Sequence, residues 1–270
     1  VIASSDNFKT RPIILKDKMT LYMIGIGLWD EKDITFKGAE AIKMCNKVFL
    51  ENYTSKLGVG VDRLEKFLGK KIILADRNMV EKHNYEILEP AKQECVSFLV
   101  IGDVFGATTH TDLYLAAKKE GINVVVINNA SILNAVGIVG LELYKFGKTT
   151  SIPFHNKDVE APYNVIKLNK KNKLHTLLLL DIDAEHNKYM TIKEAIEYLL
   201  RVEAKRKEKA FTKQTKCIGV ARLGSDKPGI VYGKAEELLK TDFGEPPHSL
   251  IVPGELHFVE EEALKQWKNI

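Results

Sequence analysis

Tyr22-Met23-Ile24-Gly25-Ile26-Gly27-Leu28-Trp29-Asp30 reads as a short apolar strand running into a Gly-x-Gly turn. Glycines at such a turn let the backbone reverse tightly and lie close against a ligand, the physics used by dinucleotide-binding folds. A dinucleotide fingerprint asks for a third small residue where Asp30 stands, although Glu51, ending the next strand, would serve as its ribose-binding acid. Alone, the turn leaves a nucleotide-like ligand and a merely tight bend equally open. A second stretch of the same form decides against two unrelated turns: Phe98-Leu99-Val100-Ile101-Gly102-Asp103-Val104-Phe105-Gly106-Ala107-Thr108-Thr109-His110. Again a buried strand ends in a Gly-containing loop, and Thr109 or Thr111 is placed to cap the following helix. Ligands of an open α/β sheet lie beyond the carboxyl ends of its strands, so both loops are expected to line one crevice.

Outward from these loops, the first half alternates short β-branched runs at 47–50, 71–74, 96–101 and 124–127 with stretches long enough for a helix. Ile34, Gly38, Ala41, Ile42 and Cys45, for example, recur at helical spacing. This βαβ rhythm predicts a mostly parallel sheet covered on both faces. After about residue 130 the rhythm changes: a longer apolar run at 176–182, a helix at 191–201, strands at 217–223, 229–232 and 249–252, and helical segments at 235–240 and 260–267. The short 224–228 turn predicts a hairpin and therefore a mixed second sheet. The expected fold is α/β with two domains, 19–130 and 131–270, sharing a ligand cleft. Residues 1–18 read as a leader or flexible extension, with Met19 the natural start.

Composition supports this frame. A length of 270 residues suits about two domains, and 45% hydrophobic with 28% charged residues is the balance of a globular protein. The net charge of +4 does not demand a nucleic-acid or membrane partner. Residues 201–216 hold seven basic residues against two acidic ones and so carry the whole excess. That segment is either a solvated helix end or a surface that steers a protein partner. No apolar run nears the roughly 20 residues of a membrane span, and residues 1–18 lack the apolar core of a secretory signal. A cytoplasmic location is expected. Cys45, Cys95 and Cys217 lie far apart in sequence without a CxxC pair, which fits a reducing compartment. Asn52-Tyr53-Thr54 and Asn129-Ala130-Ser131 match the glycosylation pattern, but without a secretory signal neither reads as modified. The seven histidines form no HxxxH or HExxH pair, so no metal site is expected, and His155, His175, His186 and His257 read as surface or structural residues. Ser131 lacks the Gly-x-Ser-x-Gly elbow of a hydrolase.

The two Gly loops, together with Asn129-Ala130-Ser131-Ile132, Leu143-Tyr144-Lys145-Phe146-Gly147, Leu177 to Ile182, Ala221-Arg222-Leu223-Gly224 and Phe243-Gly244-Glu245-Pro246-Pro247-His248-Ser249-Leu250, resemble the diphthine synthases of the tetrapyrrole methylase superfamily. The resemblance runs in order from about Leu21 to the C-terminus; one departure is Asn128, where relatives often carry His. It implies a two-domain tetrapyrrole-methylase-like fold, usually a homodimer, with S-adenosylmethionine in the interdomain cleft and S-adenosylhomocysteine as product. The implied activity is methylation of the 3-amino-3-carboxypropyl-histidine intermediate on translation elongation factor 2 during diphthamide biosynthesis. Archaeal members add three methyls and eukaryotic members four, giving diphthine methyl ester; the 51–55 and 143–147 stretches look more like the eukaryotic branch. Carried over by motif, the cofactor contacts are Leu28, Asp103, Gly106, Ser131, Ile132, Leu180, Leu223 and His248. No side chain stands in a pattern that marks it as a catalytic base. The competing readings are another methylase of the superfamily, acting on a corrin or porphyrin precursor or on ribosomal RNA, and a non-catalytic module that binds elongation factor 2.

Overall fold

A computed structural model of the chain describes residues 19–156, 159–184 and 186–268. The leader expected at 1–18 lies outside the described residues. The first half runs β1 (Thr20–Gly25), α1 (Phe36–Met44), β2 (Lys47–Glu51), α2 (Val61–Leu68), β3 (Ile73–Ala75), α3 (Arg77–Glu81), α4 (Tyr85–Ala91), β4 (Cys95–Val100), α5 (Thr111–Lys119) and β5 (Asn123–Ile127). A crossover containing α6 (Ile132–Ala135) leads to β6 (Thr150–Ile152), α7 (Ala161–Lys171) and β7 (Thr176–Leu180). The chain ends with β8 (Ile182–Asp183), β9 (Lys188–Tyr189), α8 (Ile192–Arg206), β10 (Lys216–Ala221), β11 (Gly229–Lys234), α9 (Ala235–Leu238), β12 (His248–Val252) and α10 (Phe258–Leu264).

The first sheet has the order β3-β2-β4-β1-β5, and every pairing is parallel. Its strands are apolar on both faces because helices cover both. Leu21 and Met23 of β1 pack with Val96, Phe98 and Leu113 on one side, whereas Tyr22 and Ile24 pack with Ala41, Ile42 and Leu99 on the other. Thus α1 and α5 leave the carboxyl ends of the adjacent strands β1 and β4 toward opposite faces. That divergence opens a crevice between the two following loops.

The second sheet, β11-β10-β12-β7-β6, is mixed: three antiparallel pairings and one parallel pairing, β6 with β7. β10 and β11 form the expected hairpin, closed by Ala221 opposite Gly229. Helices α7, α8 and α9 cover one face, while the crossover and α10 cover the other through Val136, Val139 and Leu264. The apolar run at 176–182 does not form one strand. Asp181 breaks it, accepting hydrogen bonds from Phe154 N (2.9 Å) and Ile182 N (3.0 Å), and Ile182–Asp183 pairs instead with Lys188–Tyr189.

Two sequence features change meaning in three dimensions. Cys45 and Cys95, fifty residues apart, meet at the end of α1 and the start of β4 with sulfurs 2.8 Å apart, both as free thiols. The basic 201–216 segment is half structural: Phe211 is fully buried, Arg206 pairs with Glu160 (2.6 Å) and Glu208 (2.8 Å), and Glu203 accepts from Tyr163 Oη (2.6 Å).

Candidate functional site

The two glycine loops are stitched to each other directly. Gly27 N donates to Gly102 O (3.2 Å) and Gly102 N to Gly27 O (2.7 Å), and both glycines have positive φ, +84° and +88°. A side chain at Gly27 would also collide with Asp33, whose carboxylate accepts from Leu28 N (3.1 Å) and Trp29 N (2.7 Å) and so fixes the turn. Only glycine meets both demands there. The crossover locks onto the same junction. Asn129 Nδ2 donates to Gly25 O (3.0 Å) and Asp33 O (2.9 Å), so this amide is committed inside the fold.

Between the two sheets these loops wall a cavity of about 120 Å³. Of the eight residues carried over from the resemblance, seven line it: Leu28, Gly106, Ser131, Ile132, Leu180, Leu223 and His248. The eighth, Asp103, is not among its walls. Its carboxylate accepts from Phe105 N (3.0 Å), Asn129 N (3.0 Å) and Asn128 Nδ2 (3.0 Å), tying the second loop to the crossover. Burial raises its pKa, and these donors outweigh that and hold it below the usual carboxylate range. Asn128, read above as a departure from the resembled family, is thus a partner of Asp103.

Close approach shapes the walls. A Cβ on Gly106 would stand 2.7 Å from Ser131 Oγ, and one on Gly224 would stand 2.5 Å from Leu28 Cβ. Leu28 of the first half therefore seats on the hairpin turn of the second. Ser131 also caps α6, accepting from Leu133 N (3.3 Å), while Asn134 Oδ1 accepts from Ser131 N (2.8 Å). Its two roles coexist because the cap uses the hydroxyl from within the turn.

His248 contributes the site's least satisfied polar atom. Burial pushes its pKa down, so the ring is neutral at pH 7. Nε2 lies 3.1 Å from Gly244 O and must donate to it, which leaves Nδ1 as a bare acceptor; that atom is buried without a partner among the described residues. A donor on a ligand in the cavity would satisfy it.

Two expectations fail. Glu51 is not a ribose acceptor: it is fully buried and accepts from Tyr53 N (3.2 Å), Thr54 N (3.0 Å), Thr54 Oγ1 (2.5 Å) and Ile101 N (3.4 Å), stapling the turn after β2 to the end of β4. Neither Thr109 nor Thr111 caps α5, since His110 holds the cap position without a side-chain bond. Thr109 Oγ1 instead donates to Glu81 (3.1 Å) and Thr108 Oγ1 to Val104 O (2.6 Å). Sequence reasoning missed Thr54, Ser55, Ile182, Arg222, Pro247 and Ser249, all of which line the cavity. Position after a strand's carboxyl end was the available signal for Thr54 and Ser55. Arg222 carried none: it adopts φ +51° and donates through Nη1 to Phe243 O (2.7 Å), pinning the loop that presents His248.

The cavity is thus apolar at Leu28, Ile132, Leu180 and Leu223 and polar through backbone groups, Ser131 and the His248 acceptor, an environment that orients a ligand and excludes water. Residues 20–239 match the family model of tetrapyrrole (corrin/porphyrin) methylases. A diphthine methyl ester synthase of Dictyostelium discoideum is 46% identical over 269 residues, covering 93% of this chain and 98% of that protein. A diphthine synthase of Methanocaldococcus jannaschii is 49% identical over 250 residues, with 91% and 97% covered. A crystal structure of a diphthine synthase superposes with a TM-score of 0.86 at 38% identity, covering 92% of this chain and 96% of that one.

Proposed function

The chain belongs to the tetrapyrrole methylase family, and from that premise we propose that it is the S-adenosylmethionine-dependent enzyme that methylates the 3-amino-3-carboxypropyl-histidine intermediate on translation elongation factor 2. Methyltransferase activity in the making of diphthine is what its similarity to diphthine synthases carries. The observation that supports this reading most is the gathering of loops from both halves around one cavity with an unpartnered acceptor, His248 Nδ1.

These walls fit S-adenosylmethionine. Leu28, Gly106, Ser131 and Ile132 would hold it from the first half and crossover, and Leu180, Leu223 and His248 from the second sheet. When bound, it supplies an electrophilic methyl on a sulfonium. The protein's own share is placement: the Gly27–Gly102 stitch fixes both loops, the leucines exclude water, and the His248 acceptor sets orientation. Alignment of this kind lowers a bimolecular barrier by on the order of 7–11 kcal/mol, and an acceptor amine has to give up its proton, here to solvent, before it accepts the methyl group.

The acceptor protein is elongation factor 2, and the reaction takes place in the cytoplasm. The enzyme works as a pair of identical chains. Supporting the pair, Ile138, Leu143, Tyr144, Phe258 and Val259 are exposed on two segments that Glu260 and Trp267 hold together through Glu142 N and Val139 O. Incubation with labelled S-adenosylmethionine and elongation factor 2 from cells lacking this enzyme, followed by mass measurement, tests the assignment. Three added methyls indicate the amine trimethylase and four the methyl ester synthase; no transfer overturns the reading.

A further inference from the structure

A second cavity, of about 300 Å³, opens beside the first. Ile182 lines both, and the turn after β2 divides them: Asn52 and Tyr53 line the second, while Thr54 and Ser55 line the first. Asp76 and Arg77, at the start of α3, Asp183 of β8, His155 and Asp181 complete its polar walls, the Asp181 carboxylate already accepting from Phe154 N and Ile182 N.

These walls carry both signs of charge in different states of commitment. Asp76 Oδ1 accepts from Met79 N (2.8 Å) and caps α3. Asp183, its side chain only 10% exposed, is flanked by His186 Nδ1 (2.9 Å) and His155 Nε2 (3.7 Å). Arg77 is held more loosely: its guanidinium lies 5.3 Å above the Tyr53 ring, Nε stands 3.9 Å from Glu81 Oε1, and its terminal nitrogens donate to no described residue. Tyr53 is 5% exposed, and its buried hydroxyl has no hydrogen-bond partner among the described residues.

We infer that this second cavity is the acceptor subsite and binds a zwitterionic amino-acid group, with Arg77 pairing its carboxylate and Asp183 its ammonium; the ammonium releases its proton to solvent before the freed nitrogen forms its bond to the methyl carbon, and the donor's carbon–sulfur bond breaks to leave a neutral thioether. The inference rests on the first cavity holding the methyl donor. A phosphate or another purely anionic ligand would face Asp76 and Asp183, and a simple cation would face Arg77; a group bearing both charges meets both walls. The planar fork of an arginine already oriented over an aromatic ring suits a carboxylate, which it binds through two parallel hydrogen bonds. Methyl transfer needs the accepting atom next to the donor, and the shared Ile182 wall supplies that adjacency.

The test uses Arg77→Ala, Arg77→Lys and Asp183→Asn in the full chain, with elongation factor 2 from cells lacking the enzyme as acceptor. Steady-state kinetics give the KM for that acceptor, and calorimetry gives the Kd for S-adenosylmethionine. Arg77→Ala and Asp183→Asn are expected to raise the acceptor KM at least tenfold while Kd for S-adenosylmethionine stays within twofold, and Arg77→Lys is expected to recover part of the loss. Arg77 has 63% of its side chain exposed, so its removal leaves the core untouched. An unchanged acceptor KM beside an active wild type would overturn the subsite alone. A Kd for S-adenosylmethionine that rises in step with KM would also overturn it, assigning these residues to the donor site. Wild-type protein that binds S-adenosylmethionine but transfers nothing would bring down the functional reading and the subsite with it.

Discussion

His248 shows how one atom's accounting becomes a functional statement. With Nε2 committed to Gly244 O, Nδ1 can only accept, and no described residue donates to it. Replacing His248 with alanine should weaken S-adenosylmethionine binding by about 1 kcal/mol, roughly fivefold in Kd by calorimetry; an unaltered Kd would mean that Nδ1 does not meet the ligand. A second prediction concerns Glu260, which is fully buried. Burial pushes its carboxyl up, but donors from His257 N, Lys145, Glu142 N and His175 outweigh it and hold the pKa at about 2. The folded value lies below the unfolded value of about 4.3, so this contribution is complete above that pH and is lost as pH falls toward 2. Urea melts should show stability declining between about pH 4.5 and 2. Glu260→Gln should cost about 2 kcal/mol at neutral pH and flatten that decline. An equal slope in both proteins would show that other carboxylates govern it. The type and position of these residues were legible in the sequence, but their donors were not. Of the partners of Glu260, His257 is local, joined to it by the capping box of α10, whereas residues 142, 145 and 175 are connected to it by no local pattern.

Among the elements, the basic 201–216 segment is decided by where a strand begins and ends. It joins α8 to the start of β10, and the cavity lies at the other end of that strand, at Val220, Arg222 and Leu223. Six residues at about 3.3 Å each put nearly 20 Å between the segment and the chemistry. Lys207, Lys209 and Lys213 are exposed, whereas Arg206 is tied to Glu160 and Glu208. Reversing those three lysines to glutamate should leave kcat/KM for elongation factor 2 within about twofold, because charges this far from the cleft are largely screened at physiological salt. A tenfold slowing would instead make the segment a docking surface. The longer elements were legible from their apolar period. α7 was not, since its buried face includes Asn169, which donates to Lys148 O (2.9 Å) and Thr176 Oγ1 (3.0 Å) and so fills a core position with a polar residue.

At the scale of the whole molecule, the proposed pairing of chains makes a prediction about mass. Tyr144 and Phe258 are 81% and 73% exposed, so burying them against a second copy removes a large apolar area from water. Sedimentation equilibrium should give the mass of two chains, and Tyr144→Glu with Phe258→Glu should shift it to one chain without lowering S-adenosylmethionine affinity more than about twofold. A single-chain mass for the native protein would refute the pairing. The sequence by itself determined the α/β alternation, the mixed second sheet and the two glycine turns, because apolar period, hairpin spacing and backbone freedom are local properties. The tertiary structure alone decided that Glu51 turns inward, that Leu28 seats on Gly224, and that Thr54, Ile182, Arg222 and Pro247 close the cavity. The reason is geometric: which loops converge depends on the order of strands across two sheets and on the path of the crossover, and both are settled by long-range packing rather than by neighbours in the chain.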